Sequence, residues 1–448
     1  MSAEGESQEN IMSFRSRTVK NTFLWRVREQ WKLLGLFEIN KDHEFYDLTC
    51  MLKKGLSTAV QHSVDNSETL GEPTEKDYAD VLKQSHEGFE LSTYAGPVFS
   101  HFRQTVGITD KEYQSSLSSE GFYLQFISNS KSKADFFLTH DKRIFLKTQT
   151  KREIRFLLTN LKTYIHHLEK YPHSLLVKFL GVHRIRTPEL GKKYFIIMQS
   201  VFYPDERILA RYDIKGCQVS RWTDPAPEGS QIIVVLKDLN FEQKHINLDQ
   251  QRSWLVRQVE IDTQFLQTLN VMDYSFLLAY QPLHADERRQ SWSFASIILR
   301  TKKSVNSGGS PTVSSHTFIP GIVEEEETTD LVTEDLSNAA AIHWEEVHTG
   351  TSHLKKKQNS EISTDLQLHD LTSQHRRLLP GYKNPLHVID GPDLRYFVGI
   401  IDIFTVYSFR KKLEYLWKSI RYRGQKFSTV SPAIYANRIC QWIESHTV

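Results

Sequence analysis

Three side chains in this sequence have the types and settings that phosphoryl transfer needs: Lys147, Asp273 and Asp402. Asp402 sits inside the apolar run FVGIIDIF (397–404). A carboxylate there is costly to bury without a partner or a metal. Asp273 lies in Met272-Asp273-Tyr274-Ser275, ahead of the apolar FLLAY, and Lys147 closes the run Ile144-Phe145-Leu146. Moving a phosphoryl group asks little covalent chemistry of a protein. It needs a cation on the phosphates, a carboxylate to hold magnesium and a carboxylate near the attacking hydroxyl. Each residue also has a plainer reading, since a lysine at a strand end usually faces water and a carboxylate beside apolar runs can be paired within its own fold.

Lys147 has to be positioned by residues 130–147, SKSKADFFLTHDKRIFLK. Two apolar runs, 136–138 and 144–146, flank the polar turn 139–143, which predicts a β-hairpin. It reads as a hairpin laid over phosphates but without the glycines such a loop uses. Around it, Ile154, Leu157, Leu161, Ile165 and Leu168 predict one helix over 150–170, ended by Tyr171-Pro172. Strands are expected at 175–185, 194–201, 232–236, 274–280 and 396–404, and a helix over 250–270 carrying Leu255, Val259, Leu266 and Leu269. Ser431 and Pro432 fit the N-cap and first position of a closing helix. Strands follow one another without regular βαβ alternation, so the expected class is α+β.

The chain has 448 residues and a net charge of only +2, so an anionic partner must be read from local clusters. No nucleic-acid partner is expected. Cys50, Cys217 and Cys440 are far apart and odd in number, which argues for a reducing compartment and against a disulfide framework. No apolar run approaches the ~20 residues of a membrane span, and MSAEGESQEN does not read as a signal peptide. The expectation is a cytoplasmic protein, peripheral to membranes at most. Residues 1–36 read as a polar tail and a basic amphipathic helix over 22–34, with Phe23, Val27, Trp31 and Leu34 on one face. Residues 37–202 form a first, strand-rich part and 203–301 the start of a second. Residues 302–387, with an acidic block and then a basic one, are expected to stay disordered, and order resumes over 388–448.

The motifs RYDIKG (211–216), MDYS (272–275), VGIID (398–402) and RKKLEYLWK (410–418) resemble, in order, the serial motifs of the phosphatidylinositol phosphate kinases. The resemblance runs from about residue 94 to the end. It implies that family's fold, antiparallel sheets with helices and a distant likeness to protein kinases, together with ATP and magnesium as cofactors. Lys147 would grip the ATP phosphates and Glu153 would be the acidic residue on the following helix. Asp273 would be the catalytic aspartate and Asp402 the magnesium ligand. Asp213 and Lys215 would fall in the family's D-L-K-G-S motif, and Met198 in the strand leading to the adenine hinge. Lys411-Lys412-Leu413-Glu414 resembles the 5-kinase type, whose substrate is phosphatidylinositol 4-phosphate on an anionic membrane. Between Arg410 and Lys426 seven basic residues stand against one acidic, a local charge of +6, together with Leu413, Tyr415, Leu416 and Trp417. Such a segment suits an anionic bilayer, or else a solvated basic helix.

The family's G-x-S-G-S-x-F falls on 130–136, where Ser132 and Phe136 match but Ser130 and Lys133 replace the glycines and Ala134 the second serine. Glycine allows backbone to approach phosphate closely, and Asp135 would add a negative charge nearby. Cys217, Asn240 and Gln281 are smaller departures. Two functions therefore stand open. One is an active kinase placing the ATP γ-phosphate on the 5-hydroxyl. The other is a weakly active relative that directs type I phosphatidylinositol phosphate kinases to membranes, as a homo- or heterodimer partner.

Overall fold

In the computed structural model the described residues are 34–65, 72–129, 134–203, 205–227, 232–283 and 388–448. The insert expected over 302–387 and all but the last residue of the helix expected over 22–34 lie outside them, as does Ser132.

Two sheets organise the fold. The larger holds β1 (Gly35–Glu38), β2 (Val81–His86), β3 (Phe89–Tyr94), β4 (Leu124–Ile127), β5 (Phe136–Leu138), β6 (Ile144–Gln149), β7 (Phe179–Thr187) and β8 (Gly191–Gln199). Its order is β1-β4-β5-β6-β8-β7-β3-β2, antiparallel throughout. The smaller holds β9 (Ala210–Ile214), β10 (Val235–Lys237), β11 (Ser275–Pro282), β12 (Val388–Asp390) and β13 (Leu394–Ile401), in the order β10-β9-β11-β13-β12. Only its β10–β9 pair is parallel. Helices α1 (Tyr46–Asp65), α2 (Glu75–Tyr78), α3 (Gly96–Thr105), α4 (Asp110–Ser118), α5 (Lys151–Thr159) and α6 (Leu161–Lys170) accompany the large sheet in sequence. Helices α7 (Arg252–Thr268), α8 (Phe409–Arg421) and α9 (Pro432–His446) accompany the small one. This is the α+β class expected from the strand order.

The single helix expected over 150–170 is two. Asn160 leaves helical geometry (φ −103°, ψ 8°), and its side-chain amide donates to the Phe156 carbonyl at 2.8 Å. The side chain thus takes a carbonyl near the end of α5 and the chain restarts as α6. At the other end, Thr150 and Glu153 form a reciprocal capping box that starts α5 directly after β6. Residues 37–128, over which the sequence predicts no particular element, carry regular helices and strands. Helix α1 buries Leu48, Leu52, Leu56, Ala59 and Val60, but Thr49 and Gly55 interrupt that stripe. Gly55 is needed for approach, since a Cβ there would come within 3.0 Å of Leu91 and 3.1 Å of Phe89 on β3.

A short strap joins the sheets just ahead of Asp402. The Val177 N–H donates to the Ile400 carbonyl at 2.9 Å, and the Ile400 N–H to the Leu175 carbonyl at 2.7 Å. Asp262 on α7, fully buried, anchors this strap. Its carboxylate accepts from Ser174 Oγ and from the Leu175 N–H, both at 2.7 Å, and lies 2.8 Å from His167 Nε2. Three partners offset the cost of burying a charge. Among the described residues no helix is long and apolar enough to cross a membrane.

Candidate active site

Strand direction brings the candidate residues together. β11 runs antiparallel to both β9 and β13, pairing Ser275 with Ile401 and Leu277 with Asp213. The start of β11 therefore lies beside the ends of its two neighbours, and Asp273, Lys215 and Asp402 converge at one edge of the small sheet. From the large sheet, β5 and β6 pair Phe136 with Lys147 as the hairpin reading requires. Lys147 Nζ reaches across to donate to Asp402 Oδ1 at 2.5 Å and lies 5.2 Å from the centre of the Phe136 ring.

Both aspartates sit in left-handed backbone, Asp273 at φ 62° and Asp402 at φ 61°. Residues other than glycine take that region at a cost, and such strain gathers at functional sites. Lys215 Nζ donates to Asp273 Oδ1 at 3.0 Å and to the Asp273 carbonyl. Burial alone would lower the Lys215 ammonium, but the charges of Asp273, Asp213 and Asp402 outweigh it and raise it above its ordinary range. Burial would likewise raise Asp402, yet the Lys147 ammonium, with help from Lys215, holds its carboxyl below the usual value.

Two adjacent spaces lie at this junction. A cleft of about 770 Å³ is lined by Lys147, Glu153, Lys215, Asp273, Asp402 and Lys418 among others. A narrower slot of about 150 Å³ is lined chiefly by apolar side chains, including Phe136, Phe145, Val177, Met198, Leu277 and Ile401. Asp213, Lys237 and Asp402 line both. The slot suits a planar base and the cleft suits phosphates and a second substrate. Magnesium also fits the donor set. Asp402 engages Lys147 through one carboxylate oxygen, and such ions are commonly held by one or two carboxylates plus nucleotide phosphates. Among the described residues no group of three His, Cys, Asp or Glu is placed to hold a metal ion unaided. A magnesium ion here would thus draw further ligands from nucleotide phosphates and water.

Several expectations change. Glu153 lines the cleft, but its carboxylate is committed to Thr150, accepting from its N–H at 2.9 Å and its hydroxyl at 2.7 Å. The cation paired with Asp402 is Lys147 itself. Asp135, expected to press its charge on bound phosphates, instead lies 3.5 Å from Lys193. The cleft meets Ala134 at that point. Lys411 and Glu414 are partners on α8, 2.8 Å apart, while Lys412 is exposed. Cys217 is buried, which pushes its thiol up to about 12. Asn240 is structural, accepting from the N–H groups of Thr223 and Lys237, both at 3.1 Å.

Sequence reasoning missed Arg221 and Asp238. Arg221 donates to Asp238 Oδ2 at 2.5 Å and to Asp213 Oδ1 at 2.8 Å. Asp238 also accepts the N–H groups of Lys215 at 3.0 Å and Cys217 at 3.2 Å. This network fixes the turn that carries Lys215. Its only signal in the sequence is a carboxylate two residues past the strand-like 232–236.

A lysine on a strand hairpin, facing two strained aspartates across a cleft between two sheets, with an apolar slot beside it, is the layout of a kinase domain. Residues 117–446 match the family described as Phosphatidylinositol-4-phosphate 5-Kinase. The chain is 49% identical to Phosphatidylinositol 4-phosphate 5-kinase-like protein 1 of Homo sapiens, over 95% of this chain and 92% of that protein. It is 45% identical to the protein of the same name from Mus musculus, again over 95% and 92%. It is 31% identical to Phosphatidylinositol 4-phosphate 5-kinase 9 of Arabidopsis thaliana, over 80% of this chain and 44% of that protein. The chain belongs to the phosphatidylinositol-4-phosphate 5-kinase family, as its four motifs indicated.

Proposed function

We propose that this protein binds membranes bearing phosphatidylinositol 4-phosphate and acts chiefly by bringing active phosphatidylinositol phosphate 5-kinases to them, its own phosphoryl transfer being slow. The observation that carries the membrane half is helix α8, none of whose residues is buried. Phe409, Leu413, Leu416, Trp417 and Ile420 recur at helical spacing and are exposed, Phe409 by 73% and Ile420 by 68%. The polar ridge Lys411, Glu414 and Lys418 turns inward, where Lys418 donates to Thr429 at 2.8 Å. An ordinary surface helix buries its apolar stripe; this one presents it outward, flanked by Arg410, Lys412, Arg421 and Arg423. An anionic bilayer satisfies both features, with each basic residue near it contributing about 1 kcal/mol.

Slow transfer is supported by the sequence at 130–136. A lysine at 133 obstructs the backbone approach that glycine permits, and flexible ammonium groups replace fixed backbone amides poorly. The likeness to two proteins named kinase-like, at 49% and 45% over nearly the whole chain, supports the same reading. A second reading, active transfer of the ATP γ-phosphate to the 5-hydroxyl, is favoured by Lys147, Asp273 and Asp402 lining one cleft. In either case ATP would place its base in the slot beside Met198 and its phosphates near Lys147. Asp402 would hold magnesium, which screens phosphate charge, and Asp273 would orient the attacking hydroxyl and take its proton.

A lipid-kinase assay separates the two. Pure protein is expected to form little bisphosphate alone, whereas protein isolated from cells carries activity that leaves when a bound 5-kinase is removed. Robust turnover by the pure wild type, abolished in Asp402→Asn, would establish the second reading instead.

A further inference from the structure

We propose that Lys418 meets the phosphomonoester of a lipid headgroup in the cleft, and that Glu414 and Thr429 hold it in place to do so. This rests on the reading of the cleft as a lipid site and adds to it a specific residue and a specific support. Among the residues of α8, Lys418 alone lines the cleft, beside Tyr422, Phe427 and Ser428 from the segment that follows. No residue of α8 lines the apolar slot. Lys418 therefore belongs to the part of the junction away from the base, on the helix whose other face is turned outward.

The support is a closed cluster. Lys418 Nζ donates to Glu414 Oε1 at 2.6 Å and to Thr429 Oγ1 at 2.8 Å. The Thr429 hydroxyl in turn donates to Glu414 Oε1 at 2.7 Å, and Lys411 Nζ to Glu414 Oε2 at 2.8 Å. Thr429 is only 1% exposed, so the cluster is fixed to the body of the protein rather than to the helix alone. Both Glu414 oxygens are taken by these neighbours, which suits a positioning residue and not one that touches substrate. An ammonium carries three N–H donors. Two of those on Lys418 are engaged by Glu414 and Thr429, and the third is available to the cleft. A phosphomonoester dianion is the ligand such a donor recognises best, through a short charge-assisted bond. A headgroup entering from the membrane side of α8 would bring one to this position.

The test measures binding, so it does not depend on turnover. Full-length protein is titrated with vesicles containing phosphatidylinositol 4-phosphate and with phosphatidylserine vesicles of equal surface charge, and separately with MgATP. The wild type is expected to prefer the phosphomonoester vesicles. Lys418→Met should weaken binding to them about tenfold, the loss of one charge-assisted contact, while leaving phosphatidylserine vesicles and MgATP nearly unaffected. Lys418→Arg should recover part of the preference because it keeps a cationic donor. Glu414→Gln should lose the preference although Lys418 remains, since the ammonium is no longer anchored. A Lys418→Met protein that keeps the full preference, or that loses both vesicle types equally, overturns the assignment. Weakened MgATP binding would assign Lys418 to the nucleotide and overturn it too. A wild type with no preference between the vesicles overturns the lipid reading of the cleft itself.

Discussion

Lys147 Nζ and Asp402 Oδ1 meet at 2.5 Å although 255 residues separate them in the chain. The contact joins β6 of the large sheet to the end of β13 in the small one. The lysine side chain is 8% exposed and the aspartate 43%, so the carboxylate chiefly serves to neutralise a nearly buried ammonium. In Asp402→Asn that ammonium would face an amide. The expected outcome is a loss of about 1–3 kcal/mol of stability, read as a lower melting temperature, with any lipid-kinase activity falling to background. An unchanged melting temperature would show that the pair contributes nothing in solution.

Glu414 gives the clearest pH dependence. Burial pushes its carboxyl up, but hydrogen bonds from Lys411, Lys418 and Thr429 prevail and hold it at about 2, below the ordinary 4.5. A carboxyl depressed in this way stabilises the folded state above its unfolded value, and that contribution fades as pH falls from about 4.5 to about 2. The side chain is a third exposed, so screening reduces the contribution to about 1 kcal/mol. Glu414→Gln should therefore lower the urea midpoint at pH 7, and the gap to wild type should close between pH 4.5 and pH 2. A gap that stays constant over that range would contradict the cluster.

The parts of the site that could be read from sequence are those where one residue conflicts with its neighbours. Asp402 stands out because FVGIIDIF is otherwise apolar, and the 136–146 hairpin because two apolar runs flank a polar turn. Lys418, Arg221 and Asp238 were not legible. A charged residue on a basic helix looks solvated until Thr429 is known to lie beneath it, and Arg221 finds its carboxylates on β9 and just past β10. The fold class followed from strand order, but the break at Asn160 depends on one side-chain bond within a continuous helical pattern. Helix α1 was missed because Gly55 and Thr49, which permit close packing on β3, weaken its apolar stripe.

Restoring glycine at 130 and 133 tests the cause assigned to slow transfer. Ser130→Gly with Lys133→Gly should let backbone amides approach the phosphates, and one well-placed donor is worth roughly tenfold or more in turnover. The expected outcome is higher bisphosphate formation by pure protein, abolished again when Asp402→Asn is added. No gain from the paired glycines would count against this loop as the cause proposed for slow transfer.

The outward stripe of α8 makes a prediction in which stability and membrane binding separate. No residue of the helix is buried, so Leu413→Ser with Ile420→Ser should leave the melting temperature essentially unchanged. Binding to anionic vesicles should fall at least tenfold, since each apolar side chain removed from a bilayer forfeits about 1.5–3 kcal/mol at most. Lys412→Glu, at an exposed position outside the Glu414 cluster, should weaken binding through charge alone, and more at low salt than at high. If the apolar pair binds vesicles like wild type, the stripe does not face a membrane.

Asp262 reaches the site through the strap. Its carboxylate is fully buried and is met by Ser174 Oγ, the Leu175 N–H and His167. Asp262→Ala strands those groups and should cost about 3 kcal/mol or more. The Leu175 carbonyl accepts from Ile400, and Val177 donates to Ile400, two residues before Asp402. A loosened strap should therefore free the strand end that leads to Asp402. Hydrogen exchange at the amides of Leu175, Val177 and Ile400 is expected to accelerate more than exchange in α1, which packs on β2, β3 and α4. Equal acceleration in both places would mean that Asp262 supports the fold as a whole and does not act through the strap.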